Sequence, residues 1–151
     1  MRKAGSTILS KKLYKLTLGG GVLFWVTTIA TSLLPIAAEY RAAFGKRSWS
    51  IQTVWLDSLL AGMIIGFCVS YSLLRFFDGL PTKNPITKAA ILSCIALAVA
   101  TILIDVPHSF LLLGPRDDLH YFLIGILLNI PRFLFLGIVI GYLHKRLYRS
   151  A

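Results

Sequence analysis

The segment Asn129-Ile130-Pro131-Arg132 places a permanently charged guanidinium inside a long apolar stretch. Residues 119–143 contain no other Lys, Arg, Asp or Glu. An arginine in such a stretch needs a partner, and ionisable groups among apolar residues often mark functional sites. Pro131 cannot donate a hydrogen bond to the carbonyl of Leu127, which predicts a kink and a free acceptor. Asn129 shares a helical face with Arg132, so the segment predicts a polar site.

Two acidic side chains could compensate the charge of Arg132. Asp57 lies near the start of a second apolar stretch, and Asp105 lies at the end of a third. If these stretches are membrane-spanning helices, Asp57 lies only about 9 Å from the middle of its span, at 1.5 Å per residue. Side chains lean toward the N-terminal end of a helix, which brings Arg132 toward the depth of Asp57.

We therefore predict a binding site formed by Asp57, Asn129 and Arg132, with Asp57 and Arg132 paired. The site would lie beneath a polar vestibule that opens to the outer side of the membrane. The alternative is a polar clamp that fixes how two helices pack and binds no ligand. Both interpretations depend on the partner that Arg132 finds inside the protein.

A second polar group could bind a metal ion. Its members are three carboxylates and two imidazoles, from Asp105, His108, Asp117, Asp118 and His120. Carboxylate oxygens and imidazole nitrogens bind zinc and similar ions. Their spacing matches no specific metal motif, which favours a solvated acidic loop. We predict neither a metal ion nor an organic cofactor.

Four apolar stretches must position these side chains. The chain has 151 residues, of which 56% are hydrophobic and 15% charged, whereas soluble domains carry roughly 25% charged residues. About 20 apolar residues cross a bilayer as an α-helix. The predicted fold is an all-α integral membrane protein, a four-transmembrane-helix bundle that occupies residues 1–151 as a single domain. Its helices are expected at approximately 14–38, 52–76, 87–107 and 119–144.

Lysine and arginine residues predict the orientation of the bundle. Eleven lie before the first stretch, between the second and third, or after the fourth, and four lie in the other two loops. Because cytoplasmic loops are richer in these residues, both termini are predicted to be cytoplasmic in a cell-membrane protein. The basic residues flank apolar stretches instead of forming one solvated face, so no nucleic-acid partner is predicted.

Glycine pairs at four-residue spacing predict close helix packing. Gly62 and Gly66 lie in the second stretch, and Gly137 and Gly141 in the fourth. Lipid tails give helices little hydrophobic reason to associate, so small residues that allow close backbone approach supply the contacts. We expect packing within one chain; a homo-oligomer or a larger membrane complex is the alternative. The matching pairs also suggest two similar helical hairpins in one chain.

Three functional classes are compatible with this sequence. The packing motifs favour an accessory, assembly or structural membrane subunit. The alternative is a small oligomeric transporter or channel that uses the polar site between the second and fourth spans. A membrane-embedded enzyme is least favoured, because the sequence contains no HExxH, GxSxG or nucleotide-binding loop.

Overall fold

The computed structural model describes residues 2–43, 51–106 and 118–149. These residues form five α-helices, namely α1 (Arg2–Ser32), α2 (Pro35–Ala43), α3 (Ile51–Arg75), α4 (Pro85–Ala100) and α5 (Asp118–Arg149). A 3₁₀ turn at Phe77–Gly79 lies between α3 and α4, and a π-helical turn at Thr101–Asp105 continues α4. No strand occurs among the described residues.

Four helical segments are long and apolar enough to cross a membrane. They are Ser10–Ser32, Gln52–Arg75, Pro85–Leu103 and Leu119–Leu147. Large apolar side chains such as Leu60, which is 66% exposed, cover the outside of the bundle. Lipid solvates such a surface well, whereas water does not. The predicted all-α bundle with four apolar spans is confirmed, and the cytoplasmic position of both termini stays a prediction.

The first span is interrupted near its C-terminal end. Helix α1 ends at Ser32, Leu33 and Leu34 form a turn, and Pro35 begins α2. Proline lacks the N–H that a continuing helix would need, but its fixed φ suits the first position of a new helix. The segment expected as one helix over 14–38 is therefore divided into two.

The first hairpin consists of α1 packed against α3. A Cβ atom at Gly62 would lie 2.9 Å from the carbonyl oxygen of Gly21, and one at Gly66 would lie 3.1 Å from the carbonyl oxygen of Thr17. Because these two positions of α3 carry no side chain, the backbones of α1 and α3 can meet.

The second hairpin, α4 packed against α5, is built in the same way. A Cβ at Gly137 would lie 2.9 Å from the carbonyl oxygen of Ala89, and one at Gly141 would lie 2.8 Å from that of Pro85. All four predicted packing glycines thus lie at interfaces within the chain. These contacts give no support to the alternative in which the same glycines hold copies together.

Helices α1 and α5 join the two hairpins. The rings of Phe24 and Phe133 meet edge to face with centroids 5.4 Å apart, and Gly20 lies against Ile140. Helices α3 and α4 make fewer contacts with each other, and an apolar groove of about 360 Å³ lies between them. Helix α1 therefore lies between α3 and α5 over most of the bundle, which decides how the polar site is assembled.

A buried basic side chain lies at the end of the bundle where α4 begins and α5 ends. Lys88 is only 4% exposed, and its ammonium group donates to the carbonyl of Phe77. The same ammonium lies 3.8 Å from the centroid of the Phe77 ring, and His144 of α5 stacks on that ring. Carbonyl and ring together compensate the burial of the charge. From the sequence, Lys88 was expected only to be one of the loop charges that predict the orientation of the protein.

Candidate functional site

A polar cavity of about 210 Å³ lies where α1 gives way to α2. The described lining residues come from α1, α2, α3 and α5: Thr28, Ser32, Ala37, Tyr40, Arg41, Val54, Asp57, Gly125, Leu128, Asn129 and Arg132. The three residues predicted to form a binding site, Asp57, Asn129 and Arg132, thus line a single cavity. The polar side chains that α1 and α2 contribute to the wall were not predicted as part of this site.

Arg132 reaches the cavity from the middle of α5. Its Nε atom donates to Thr31 Oγ1 at 2.8 Å, and its Nη1 atom donates to Asn129 Oδ1 at 3.0 Å. Both acceptors are uncharged, and these two bonds orient the guanidinium plane. The bond to Asn129 fits the predicted shared face, whereas Thr31 comes from α1.

Asp57 lines the same cavity from α3. Among the described residues, no ion pair joins its carboxylate to Arg132, and the carboxylate has no hydrogen-bond partner. The direct pair that we expected from depth alone is therefore replaced by a shared cavity. The physical reason is lateral position: α1 lies between α3 and α5, and the hydroxyl of Thr31 on α1 meets the guanidinium first.

A second guanidinium enters from α2. Arg41 Nη1 donates to the carbonyl oxygen of Ser32 at 2.9 Å. Ser32 is the last residue of α1, where carbonyls lack further helical partners and carry the partial negative charge of the helix end. Arg41 therefore caps α1 while it forms part of the cavity wall. From the sequence, Arg41 was expected only to contribute to the charge of a loop.

The break between α1 and α2 lies at the depth of the apolar span of α5. Beyond the break, Ala37 packs against Leu128, and the Tyr40 ring lies so close to Gly125 that a Cβ there would be 3.1 Å from the phenol oxygen. Non-helical backbone at membrane depth is tolerated only where it is buried in protein or lines a polar cavity. Discontinuous helices are also a common feature of transporter substrate sites.

Hydroxyl groups of α1 complete the polar wall. Thr28 Oγ1 donates to the carbonyl of Phe24 at 2.8 Å, and Ser32 Oγ donates to that of Ile29, also at 2.8 Å. Because each hydroxyl proton is directed back to the helix, its oxygen can present lone pairs to the cavity. The wall therefore offers neutral acceptors beside the two guanidiniums.

The five candidate metal ligands are not brought together among the residues that the structure describes. His108 and Asp117 lie outside the described residues, Asp105 ends the π-helical turn, and Asp118 begins α5. His120 Nε2 lies 4.0 Å from Glu39 Oε1 of α2, with both side chains more than half exposed. Within the described ranges, no three His, Cys, Asp or Glu side chains form a group that could hold a metal ion.

The cavity lining combines charged and neutral polar groups. Two guanidiniums, one carboxylate, an amide and several hydroxyls line it, a set that can hold a small charged molecule through directed hydrogen bonds. No protein family, curated protein or solved structure matches this chain.

Proposed function

We propose that this protein binds a small anionic solute in the cavity between α1, α2, α3 and α5 and carries it across the membrane. The observation that carries the proposal is the entry of two guanidiniums, Arg41 and Arg132, into one 210 Å³ cavity beside a helix break. The proposal takes up the transporter alternative that the sequence left open. The accessory, assembly or structural class stays the alternative, because glycine pairs that pack within the chain are compatible with it as well.

The charge of the cavity favours an anion. Its described lining contains Arg41, Arg132 and a single carboxylate, that of Asp57, so one positive charge is in excess. Excess charge at membrane depth costs free energy that an entering counter-charge recovers. A planar guanidinium fits a carboxylate or phosphate through paired hydrogen bonds.

The volume of the cavity limits the solute. A 150 Å³ cavity accepts benzene, so 210 Å³ holds roughly eight non-hydrogen atoms by the same proportion. Sites for drug-sized ligands start at about 300 Å³. The solute is therefore of the size of a short organic acid or an alkyl phosphate.

The helix break supports transport beyond static binding. Helix α2 spans nine residues, is joined to α1 by a two-residue turn, and packs on α5 through Tyr40 and the small residue Gly125. A short helix held by so few contacts can change its position at low cost. With both termini in the cytoplasm, as proposed from the basic residues, the cavity faces the outer side of a cell membrane.

Binding is tested by thermal unfolding of the purified protein in detergent with a panel of small anions, and with choline and acetamide as cationic and neutral controls. At 100 times its dissociation constant, a bound anion adds about 2.7 kcal/mol. This corresponds to a rise of roughly 5–10 °C in the unfolding midpoint. Failure of every anion to raise the midpoint above the controls would contradict the proposal.

Transport is tested separately with the anion that stabilises the protein most. We expect proteoliposomes to take up the labelled anion faster than protein-free liposomes of the same lipid composition. Stabilisation without uptake would contradict the transport step while leaving the binding site in place.

A further inference from the structure

We infer that the solute is a zwitterion, whose carboxylate or phosphate meets Arg132 and Arg41 and whose ammonium group meets Asp57. The inference rests on the proposed function, because it names the ligand class of the same cavity. An ordinary anion would leave the carboxylate of Asp57, on one side of the cavity, without a counter-charge.

The carboxylate of Asp57 has no partner in the described part of the chain. Its helix neighbours Leu56 and Leu60 are 65% and 66% exposed, as expected for side chains that face lipid. A plain anion would bring a like charge toward this carboxylate, whereas a zwitterion brings a cation to it.

The two hairpins present the opposite charges in equivalent positions. Asp57 lies five residues before Gly62, and Arg132 lies five residues before Gly137, the first glycine of the packing pair in each hairpin. Equivalent positions in two similar hairpins lie at similar depth. The acid and the base therefore face the cavity from two sides at one level, with Arg41 completing the basic side.

The dimensions of the cavity suit a short zwitterion. A sphere of 210 Å³ is about 7 Å across, which accommodates an ammonium group and an anionic group separated by a few bonds. Because α1 separates α3 from α5 and leaves Asp57 and Arg132 without a direct ion pair, the ligand itself can bridge the two charges.

The test compares two pairs of probes in which a methyl group replaces the ammonium group: β-alanine with butyrate, and phosphoethanolamine with propyl phosphate. We expect the wild-type protein to bind one zwitterion at least about tenfold more tightly than its methyl analogue, measured by titrating the unfolding midpoint. Asp57→Asn should abolish this preference and retain affinity for the anion, whereas Asp57→Glu should keep the preference. Asp78→Asn, at the exposed 3₁₀ turn, is the control for an equal change in net charge.

Equal affinity for both members of each pair in the wild-type protein would overturn the inference and leave the anion site intact. Failure of all four probes and of every anion in the panel would instead overturn the proposed function. Preference for β-alanine or for phosphoethanolamine identifies the anionic group, and either supports the inference. Comparing soluble phosphoethanolamine with short-chain phosphatidylethanolamine then distinguishes a free solute from a lipid headgroup.

Discussion

Gly141→Ala is expected to destabilise the protein by roughly 2–3 kcal/mol, which lowers the unfolding midpoint by about 5–10 °C. The new Cβ would lie 2.8 Å from the carbonyl oxygen of Pro85 and closer still to Ile86 Cα, so it meets the backbone of α4. A backbone cannot rotate away as a side chain can, and α4 and α5 must therefore separate along their main contact. Thermal unfolding in detergent, followed by circular dichroism, measures the change.

Two other glycines serve as matched controls. A Cβ at Gly19 would meet the tip of the Leu143 side chain, which can change rotamer, and one at Gly79 would meet nothing within 4 Å. We expect Gly19→Ala to lower the midpoint by less than half as much as Gly141→Ala, and Gly79→Ala to leave it nearly unchanged. Similar losses in all three variants would show that helix propensity or general packing, and not the α4–α5 backbone contact, sets the stability.

Arg132→Leu is expected to weaken solute binding by roughly 30- to 100-fold, because hydrogen bonds to a charged group contribute about 2–3 kcal/mol. The variant also removes the excess positive charge of the described cavity lining. Titration of the unfolding midpoint with the best anion of the panel measures the loss. Full affinity in Arg132→Leu would remove this residue from the site.

The same substitution should leave the protein folded. A central arginine costs about 2.5–3.5 kcal/mol on insertion-based scales, whereas leucine is favourable by about 0.3–0.6 kcal/mol. This gain offsets the hydrogen bonds that Thr31 and Asn129 lose. A purely structural clamp predicts the opposite result, with lost stability as the main effect.

Two further arginine variants separate charge from geometry. Arg132→Lys keeps the charge but cannot hold Thr31 and Asn129 with one planar fork, so we expect partial affinity. Arg75→Leu removes an equal charge at the exposed C-terminal end of α3, far along the helix from the cavity-lining Asp57. We expect it to bind the solute normally.

Features that depend on a single helix or a single residue could be predicted from the sequence. The bond between Arg132 and Asn129 follows from three-residue spacing on a helical face. The apolar spans follow from composition and length alone, because a bilayer requires about 20 apolar residues. The close-packing role of Gly62 and Gly137 likewise follows from the lack of a side chain, a property of the residue itself.

Contacts between helices could not be predicted in this way. Thr31 meets Arg132 across 101 positions of sequence, and depth arguments do not say which helices are neighbours. Depth brought Asp57 and Arg132 to one level, yet α1 lies between their helices. Arg41 was missed because the first span was expected to end near residue 38 as one helix, although Pro35 is a usual start signal for a new helix.

The central claim is that a water-filled, anion-attracting cavity lies in the outer half of the bundle. Its most direct test uses a protein in which Cys68 and Cys94 are replaced by alanine and Val54, a partly exposed residue of the cavity wall, by cysteine. Thiosulfonate reagents of similar size, one with a sulfonate and one with a trimethylammonium group, are added to the outside of intact cells. Leu60→Cys, which is exposed on the apolar surface of α3, is the control.

We predict that Val54→Cys reacts, because the cavity holds water in which a thiolate can form. Relative to a free thiol in solution, the sulfonate reagent should be favoured over the trimethylammonium reagent by about tenfold, since the cavity lining is positive. Leu60→Cys should not react with either. A Val54→Cys protein that is as inert as the control, or that reacts faster with the cationic reagent, would contradict the claim.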